Sequence, residues 1–284
     1  MSRAVVQGMG LRTSSLSKSG PFDGDRLCCL REAGLQVAEL SFNYAHGGVT
    51  FDDRGRAAEL RGRAEELGLT LVAHAPNQYW LSNPDLGEVR ETARQVEAVV
   101  DGAEAYGAQA MVIHACPGKP VIAGREGAQM EGLVWALERL ARRCEAAGVR
   151  LAVETMVPGR LTSSVARLAK AVDRVGSPWV GICLDTNHAN LSHGLDDVVR
   201  QAGARIVEFH VNDNHGVKEE HLIPYEGGID WASFAGAVAD TGCTSYMVME
   251  PGGHYEEEGE VLARAGDAAA RLRAEMAAAG VEAA

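Results

Sequence analysis

Residues 146–154 read AAGVRLAVE, which is the end of a helix-like stretch, a glycine, and an apolar run that ends in a glutamate. The same order recurs in EAGLQVAEL at 32–40, ELGLTLVAH at 66–74, AYGAQAMVIH at 105–114 and DTGCTSYMVME at 240–250. A glycine just past a helix supplies the left-handed residue that ends it. A short apolar run after such a stop is typical of a buried strand. Each segment therefore predicts a helix, a stop and a buried strand.

This pattern extends along the chain as alternating strands and helices. The predicted strands are Met9–Thr13, Val37–Ser41, Leu69–His74, Ala110–His114, Arg150–Glu154, Trp179–Leu184, Arg205–His210 and Ser245–Glu250. The predicted helices are Asp25–Ala33, Asp53–Leu67, Val89–Tyr106, Gly127–Ala147, Ser164–Val175, Leu195–Ala202, Trp231–Asp240 and Val261–Ala279. Alternating βα units imply a parallel sheet, and eight of them in 284 residues predict an α/β fold, the (β/α)8 TIM barrel.

A doubly wound open sheet is the alternative fold, but no glycine-rich phosphate turn follows the first predicted strand. No break in composition divides the chain. We therefore expect one TIM-barrel domain over residues 1–280 and a loose C-terminal tail at 281–284.

Composition limits the partners and the location of the protein. The net charge of −12 repels phosphate backbones and anionic lipid heads, so nucleic acid and membrane partners are disfavoured. The N-terminus lacks the apolar run of a signal peptide, and no stretch is long enough to span a membrane. The six cysteines form no C-x-x-C pair. These features predict a protein of the reducing cytoplasm.

Seven of the predicted strands lead to a side chain that can bind a metal or move a proton: Glu39, His74, His114, Glu154, Asp185, His210 and Glu250. Parallel barrel strands bring their carboxyl ends to one face, where active sites lie. Carboxylates crowded there need a compensating cation, and lysine and arginine are scarce at these ends. A divalent ion is therefore expected, and the mixed donors suit Mn, Co, Zn or Fe better than Ca.

A second polar cluster follows the sixth and seventh strands. The segment GICLDTNHAN at 181–190 places His188 three residues after Asp185, at the opening of a predicted loop. The stretch at 209–231, FHVNDNHGVKEEHLIPYEGGIDW, adds Asp213, His215, Glu219 and His221. Proline and two glycines in this stretch fix its turns, which favours a structured site loop over a solvated one.

The order and spacing of LAVET, GICLDTNHAN, the 209–231 stretch and YMVMEP resemble the xylose isomerase-like TIM barrels. This sugar phosphate isomerase/epimerase superfamily also contains the AP endonuclease branch, and the resemblance extends from about Met9 to Gly253. It implies one divalent metal ion, with manganese favoured, held by Glu154, Asp185, His210 and Glu250. It also implies that His188 holds a substrate oxygen and that His221 binds substrate.

The resemblance implies a metal-dependent sugar isomerase or epimerase that moves a proton next to a carbonyl through an enediolate. Glu154 and Glu250 would be the catalytic acid–base pair, and His74 and His114 are assigned to substrate binding. The substrate would be a small carbohydrate: a sugar, cyclitol or keto-glycoside. The acidic run at 256–258 favours a neutral one. Barrels of this type often pair, so homo-oligomerisation stays open.

Two departures argue against a ketose 3-epimerase within this superfamily. Arg160 stands where those enzymes carry a glutamate, and they lack a counterpart of His74. A metal-dependent lyase or dehydratase, of the dehydroshikimate or keto-glycoside type, remains an alternative, as does a non-catalytic binding barrel.

The second enzymatic alternative is a trinuclear zinc AP endonuclease, because His74 and His114 with Glu154, and His188 and His221 with Glu219, resemble further zinc sites of that branch. The few cations of the loops near the mouth argue against a DNA substrate: Lys119, Arg125, Arg160 and Lys218.

Overall fold

The computed structural model describes residues 2–17, 22–42, 49–192, 194–253 and 255–284. Its strands are β1 Val5–Arg12, β2 Val37–Ser41, β3 Thr70–His74, β4 Ala110–Ile113, β5 Arg150–Glu154, β6 Val180–Asp185, β7 Ile206–His210, β8 Thr244–Met249 and β9 Glu282–Ala283. Its helices are α1 Gly24–Glu32, α2 Arg54–Leu67, α3 Leu86–Tyr106, α4 Glu126–Ala147, α5 Val165–Val175, α6 Thr186–Asn190, α7 Leu195–Ala202, α8 Trp231–Ala239 and α9 Glu258–Ala278.

Strands β1 to β8 form a closed parallel barrel. Each strand pairs with the next along the chain, and β8 pairs with β1 to close the ring. Glycines at 68, 107, 148 and 176 end four of the surrounding helices in the left-handed conformation. The predicted (β/α)8 TIM barrel is therefore confirmed.

Strand β1 begins earlier than the sequence predicted, at Val5 rather than Met9. Gln7 and Gly8 interrupt the apolar run that marks the other strands. Gly10 is required by close packing, because a Cβ atom at this position would lie 2.0 Å from the carbonyl oxygen of Val37 on β2. In this strand, glycine therefore marks a close approach of two backbones rather than a break.

The C-terminal residues 281–284 are held against the barrel, so the expectation of a loose tail was wrong. Strand β2 pairs with β1 only from Gly10 onward, which leaves the edge of Val5 and Val6 open on that side. Strand β9 occupies this edge. The amide of Glu282 donates to the carbonyl of Ala4 at 2.9 Å, and the amide of Ala284 donates to that of Val6 at 3.1 Å.

The apolar core has two parts. The larger one fills the space between the strands and the surrounding helices. The smaller one fills the barrel interior: Val37, Val72, Ala110, Val112, Ala152, Cys183, Val207, Tyr246 and Val248. This interior plug excludes water below the carboxyl ends of the strands, so charged groups there interact in a medium of low dielectric constant. Among the described residues, no helix combines the length and the apolar character needed to cross a bilayer.

Candidate metal centre at the carboxyl ends of the strands

Four side chains from β5, β6, β7 and the end of β8 converge on one point. The Nδ1 atom of His210 lies 3.3 Å from Glu250 Oε2, 3.7 Å from Glu154 Oε1 and 3.9 Å from Asp185 Oδ2. Glu154, Asp185 and His210 are fully or almost fully buried, and the side chain of Glu250 is 22% exposed. The structure therefore brings together the four residues that the resemblance implied as metal ligands.

The Nδ1 atom of His210 is the best indication that a cation belongs at this point. It is buried, and none of the described residues offers it a hydrogen-bond partner. Buried polar groups are rarely left without a partner. An imidazole nitrogen surrounded by three carboxylates fits the ligand preferences of Mn, Co, Zn or Fe. The donor set therefore fits a divalent ion held by Glu154, Asp185, His210 and Glu250.

The charges of these groups depend strongly on one another. Burial alone would raise the pKa of Glu154, but His114 and His210 hold that pKa well below its usual value. Burial alone would lower the pKa of His210, yet the acidic groups around it, among them Cys183, Glu39 and Glu154, raise that pKa well above its usual value. Without a metal ion, a protonated His210 therefore offsets part of the negative charge.

Two further histidines contact Glu154 on the β3–β4 side. The Nε2 atoms of His114 and His74 lie 2.8 Å and 3.3 Å from Glu154 Oε2. His74 Nδ1 lies 2.8 Å from the carbonyl of Ala75, which can only accept, so Nδ1 carries a proton. Burial, reinforced by Arg12, lowers the pKa of His74 to about 4. A neutral His74 therefore directs the lone pair of Nε2 toward a carboxylate oxygen.

The Glu250 side contains a cation that the sequence analysis missed. Arg12, the last residue of β1, is 6% exposed and forms an ion pair with Glu250. Its Nε atom lies 3.4 Å from Glu39 Oε1 on the neighbouring strand. Basic residues were expected to be scarce at the seven polar strand ends, and Arg12 comes from the one remaining strand, β1. Arg12 was overlooked because the predicted first strand ran one residue past it, to Thr13.

His188 and His221 lie on the rim next to Asp185. His188 is on the short helix α6 rather than in a loop, because the carboxylate of Asp185 accepts from the amide of His188 at 3.1 Å and caps that helix. Glu219 Oε1 lies 3.3 Å from His188 Nε2 and 2.9 Å from His221 Nε2. Burial would lower the pKa of His188, but Asp185 and Glu219 raise it to about 9.

The other two residues of the second polar cluster have different surroundings. Asp213 is fully buried and accepts hydrogen bonds from the amides of Tyr225 and Ile229 and from Trp231 Nε1. It therefore fixes the shape of the loop after β7. His215 is exposed and contacts Glu220 at 3.0 Å. Of this cluster, Glu219 and His221 are connected to the candidate metal centre by the contact of Glu219 with His188.

Glu208 is a second residue that the sequence analysis missed. It lies two positions before His210 on β7 and is fully buried, and neither carboxylate oxygen has a hydrogen-bond partner in the described part of the chain. Burial, followed by Glu39, raises its pKa well above the usual value, so the side chain is a neutral acid. Glu208 and His210 are two positions apart on β7, so their side chains point to the same face of the strand. This spacing is the signal that could have placed Glu208 in the barrel interior.

Comparisons with known proteins identify the family of the chain. A family model described as the xylose isomerase-like TIM barrel matches residues 29–276. A D-psicose 3-epimerase from Enterocloster bolteae is 30% identical over 118 residues, covering 40% of this chain and 38% of that protein. An uncharacterized protein of Sinorhizobium fredii is 30% identical over 145 residues, covering 50% of this chain and 47% of that protein. These alignments span less than half the length of each curated relative.

Solved structures resemble the whole chain. A D-tagatose 3-epimerase-like protein has a TM-score of 0.78 at 17% identity, covering 96% of this chain and 98% of that one. The 3-keto-D-glucoside 4-epimerase of E. coli has a TM-score of 0.75 at 15% identity, covering 95% and 99%. At such identities the likeness shows the fold. Since the family model covers most of the sequence, the chain belongs to the xylose isomerase-like TIM-barrel family.

Proposed function

We propose that the protein is a divalent-metal-dependent sugar isomerase or epimerase, with manganese as the favoured ion. The observation that carries the proposal is the unpartnered Nδ1 of His210, which lies within 3.9 Å of carboxylate oxygens of Glu154, Asp185 and Glu250. The names of the similar proteins, D-psicose 3-epimerase and 3-keto-D-glucoside 4-epimerase, support the reaction class. The reaction would move a proton on the carbon next to a carbonyl.

The proposed chemistry divides between the metal ion and two glutamates. A divalent ion bound there would supply Lewis acidity, which polarises a substrate carbonyl and acidifies the neighbouring C–H bond. Glu154 and Glu250 extend from β5 and from the end of β8, and each would accept or return a proton through its carboxylate. Return to the opposite face of the same carbon inverts it, and return to the neighbouring carbon isomerises the sugar.

Four histidines are proposed to bind the substrate. His188 and His221, joined through Glu219, would contact hydroxyl groups on the Asp185 side. His74 and His114 would contact the substrate on the opposite side, next to Glu154. Arg12 is already paired with Glu39 and Glu250, so its charge is offset, and we propose a neutral sugar, cyclitol or keto-glycoside as substrate.

One observation favours a second candidate, the trinuclear zinc AP endonuclease. The Nε2 lone pair of neutral His74 faces Glu154 Oε2 at 3.3 Å. A further cation bound between them would remove the repulsion between this lone pair and the carboxylate oxygen. The donor atoms of His74, His114 and Glu154 lie within 4.8 Å of one another, as do those of Asp185, His188 and His221. The net charge of −12 weighs against a DNA substrate, and we therefore rank this candidate below the isomerase or epimerase and below the lyase.

The test is to remove the metal, restore it, and follow proton exchange. Protein dialysed against EDTA should lose activity toward a panel of neutral ketoses and keto-glycosides, and Mn²⁺ or Co²⁺ should restore it. In D₂O, NMR should detect deuterium entering the substrate next to its carbonyl. Full activity of metal-free protein would contradict the proposal. An unsaturated product would indicate a lyase, and incision of abasic duplex DNA would indicate the second candidate.

A further inference from the structure

A hydrogen bond across the barrel connects two strands that are not neighbours in the sheet. Glu39 on β2 and His210 on β7 are 171 positions apart, and Glu39 Oε2 lies 3.0 Å from His210 Nε2. Both side chains are fully buried. The contact reaches the ring nitrogen of His210 that faces away from Glu154, Asp185 and Glu250.

We propose that Glu39 is a positioning residue that presents Nδ1 of His210 to the metal centre. A neutral imidazole carries one proton, and a carboxylate can only accept it. With the proton on Nε2, donated to Glu39, the lone pair of Nδ1 points to the three carboxylates. Metal-binding histidines commonly use an outer carboxylate in this way. The inference rests on the proposed function, because it gives one of the four ligands its orientation.

The surroundings of Glu39 suit this role. Glu39 is in register with Arg12 on β1, and Arg12 Nε lies 3.4 Å from its second oxygen, Oε1. One oxygen is thus directed to His210 and the other to a permanent cation. Because Arg12 also pairs with Glu250, which follows β8, side chains from four strands, β1, β2, β7 and β8, are connected around the site. The donor atoms of Glu154, Asp185 and His210 lie within 4.8 Å of one another, and those of Glu39, Glu208 and His210 form a separate group of the same size, so among the described residues Glu39 adjoins this ligand group through His210.

The affinity for Mn²⁺, measured by titration of the metal-free full chain, tests the proposal. Glu39→Ala removes the acceptor and should weaken Mn²⁺ binding by about 10- to 100-fold. Glu39→Gln keeps an acceptor oxygen and should bind more tightly than Glu39→Ala. Glu226→Gln is the control, because it alters a carboxyl in the loop after β7 that contacts Tyr255 and Arg264 and leaves the Glu39–His210 hydrogen bond in place. Wild-type affinity in Glu39→Ala, or the loss of one bound ion per chain in Glu39→Gln, would overturn the proposal.

A second measurement does not depend on the folding of any Glu39 variant. Nitrogen NMR of ¹⁵N-histidine-labelled wild type loaded with Zn²⁺ should place the His210 proton on Nε2, with the signal assigned by its absence in His210→Gln. A proton on Nδ1 would overturn the proposal. A wild-type protein that binds no metal would contradict the proposed function and this inference together. Wild-type binding with an unaffected Glu39→Ala would contradict the inference alone.

Discussion

Glu154 and Glu250, the two proposed acid–base glutamates, are held by different kinds of partner. Glu154 is fully buried and contacts the imidazoles of His74 and His114, at 3.3 Å and 2.8 Å. Glu250 is partly exposed and pairs with the guanidinium of Arg12. Burial keeps the imidazole of His74 neutral, whereas a guanidinium keeps its positive charge. Two residues that look equivalent in the sequence therefore differ in the kind of group that holds their carboxylate.

The largest effect should come from neutralising the glutamates themselves. Glu154→Gln and Glu250→Gln should each lower turnover by about 10²- to 10⁴-fold, because a positioned acid or base is removed. The measurements are kcat and solvent-deuterium exchange into the substrate, with the metal content of each variant determined in parallel. Glu226→Gln, in the loop that contacts Tyr255 and Arg264, is a control outside the centre. Full exchange in either active-site variant would show that its glutamate is not the base.

Removing the permanent cation should affect stability more than chemistry. Arg12→Met leaves Glu39 and Glu250 without their buried partner and should lower the free energy of unfolding of the metal-free protein by about 3–5 kcal/mol. Arg12→Lys keeps the charge and should cost less. Bound Mn²⁺ should recover part of the loss, because it binds the folded state. Urea unfolding with and without metal measures this, and an unchanged midpoint for Arg12→Met would contradict the assigned pairing.

On the Glu154 side of the site, the substitution His114→Gln tests the imidazole partner of that glutamate. The substitution removes a 2.8 Å contact and should lower activity or metal affinity by about 10- to 100-fold. Comparison of kcat, KM and the Mn²⁺ dissociation constant separates proton transfer, substrate binding and metal binding. The equivalent change at His215, an exposed histidine of the loop after β7, should have little effect. Equal effects of the substitutions at His114 and His215 would contradict a specific role of His114 beside Glu154.

The smallest effect concerns pH and His188, which lies 3.5 Å from Glu154. Burial lowers its pKa, but Asp185 and Glu219 raise it from 6.5 to about 9. A raised folded-state pKa stabilises the fold fully below the unfolded value of about 6.5, and this stability is lost as pH rises toward 9. His188 should therefore contribute a loss of at most about 1.4 kcal/mol per pH unit in this window to the metal-free protein. His188→Gln should reduce that slope, and an identical slope would contradict the assignment.

The sequence predicted the barrel well because strand ends and helix stops leave local signals. Strands β2 and β5 have the predicted bounds, and Glu39 and Glu154 stand at or near their ends. The sequence did not reveal the features that depend on closure of the barrel. Arg12 becomes a neighbour of Glu250 only when β1 and β8 pair, and β9 forms only because β2 leaves an edge of β1 open. No local pattern contains these contacts between distant segments.

The contact between Glu39 and His210 illustrates the same limit within the site. Both residues were recognised as polar strand ends, but the contact of Glu39 with Nε2 of His210, which leaves Nδ1 to face the carboxylates, joins strands that are far apart in the sequence. The four proposed ligands followed from the resemblance to the family, whereas the contacts of Arg12, Glu39 and His114 with them required the three-dimensional arrangement.

The most direct test of the central claim is a metal count per chain, measured by elemental analysis on protein reloaded with Mn²⁺ or Zn²⁺ and freed of loosely bound ions. We predict one tightly bound ion in wild type and none in His210→Gln, whose ring nitrogen is the common point of the site. Three ions per chain would favour the AP endonuclease. A protein without bound metal that remains fully active would contradict the proposed metal dependence.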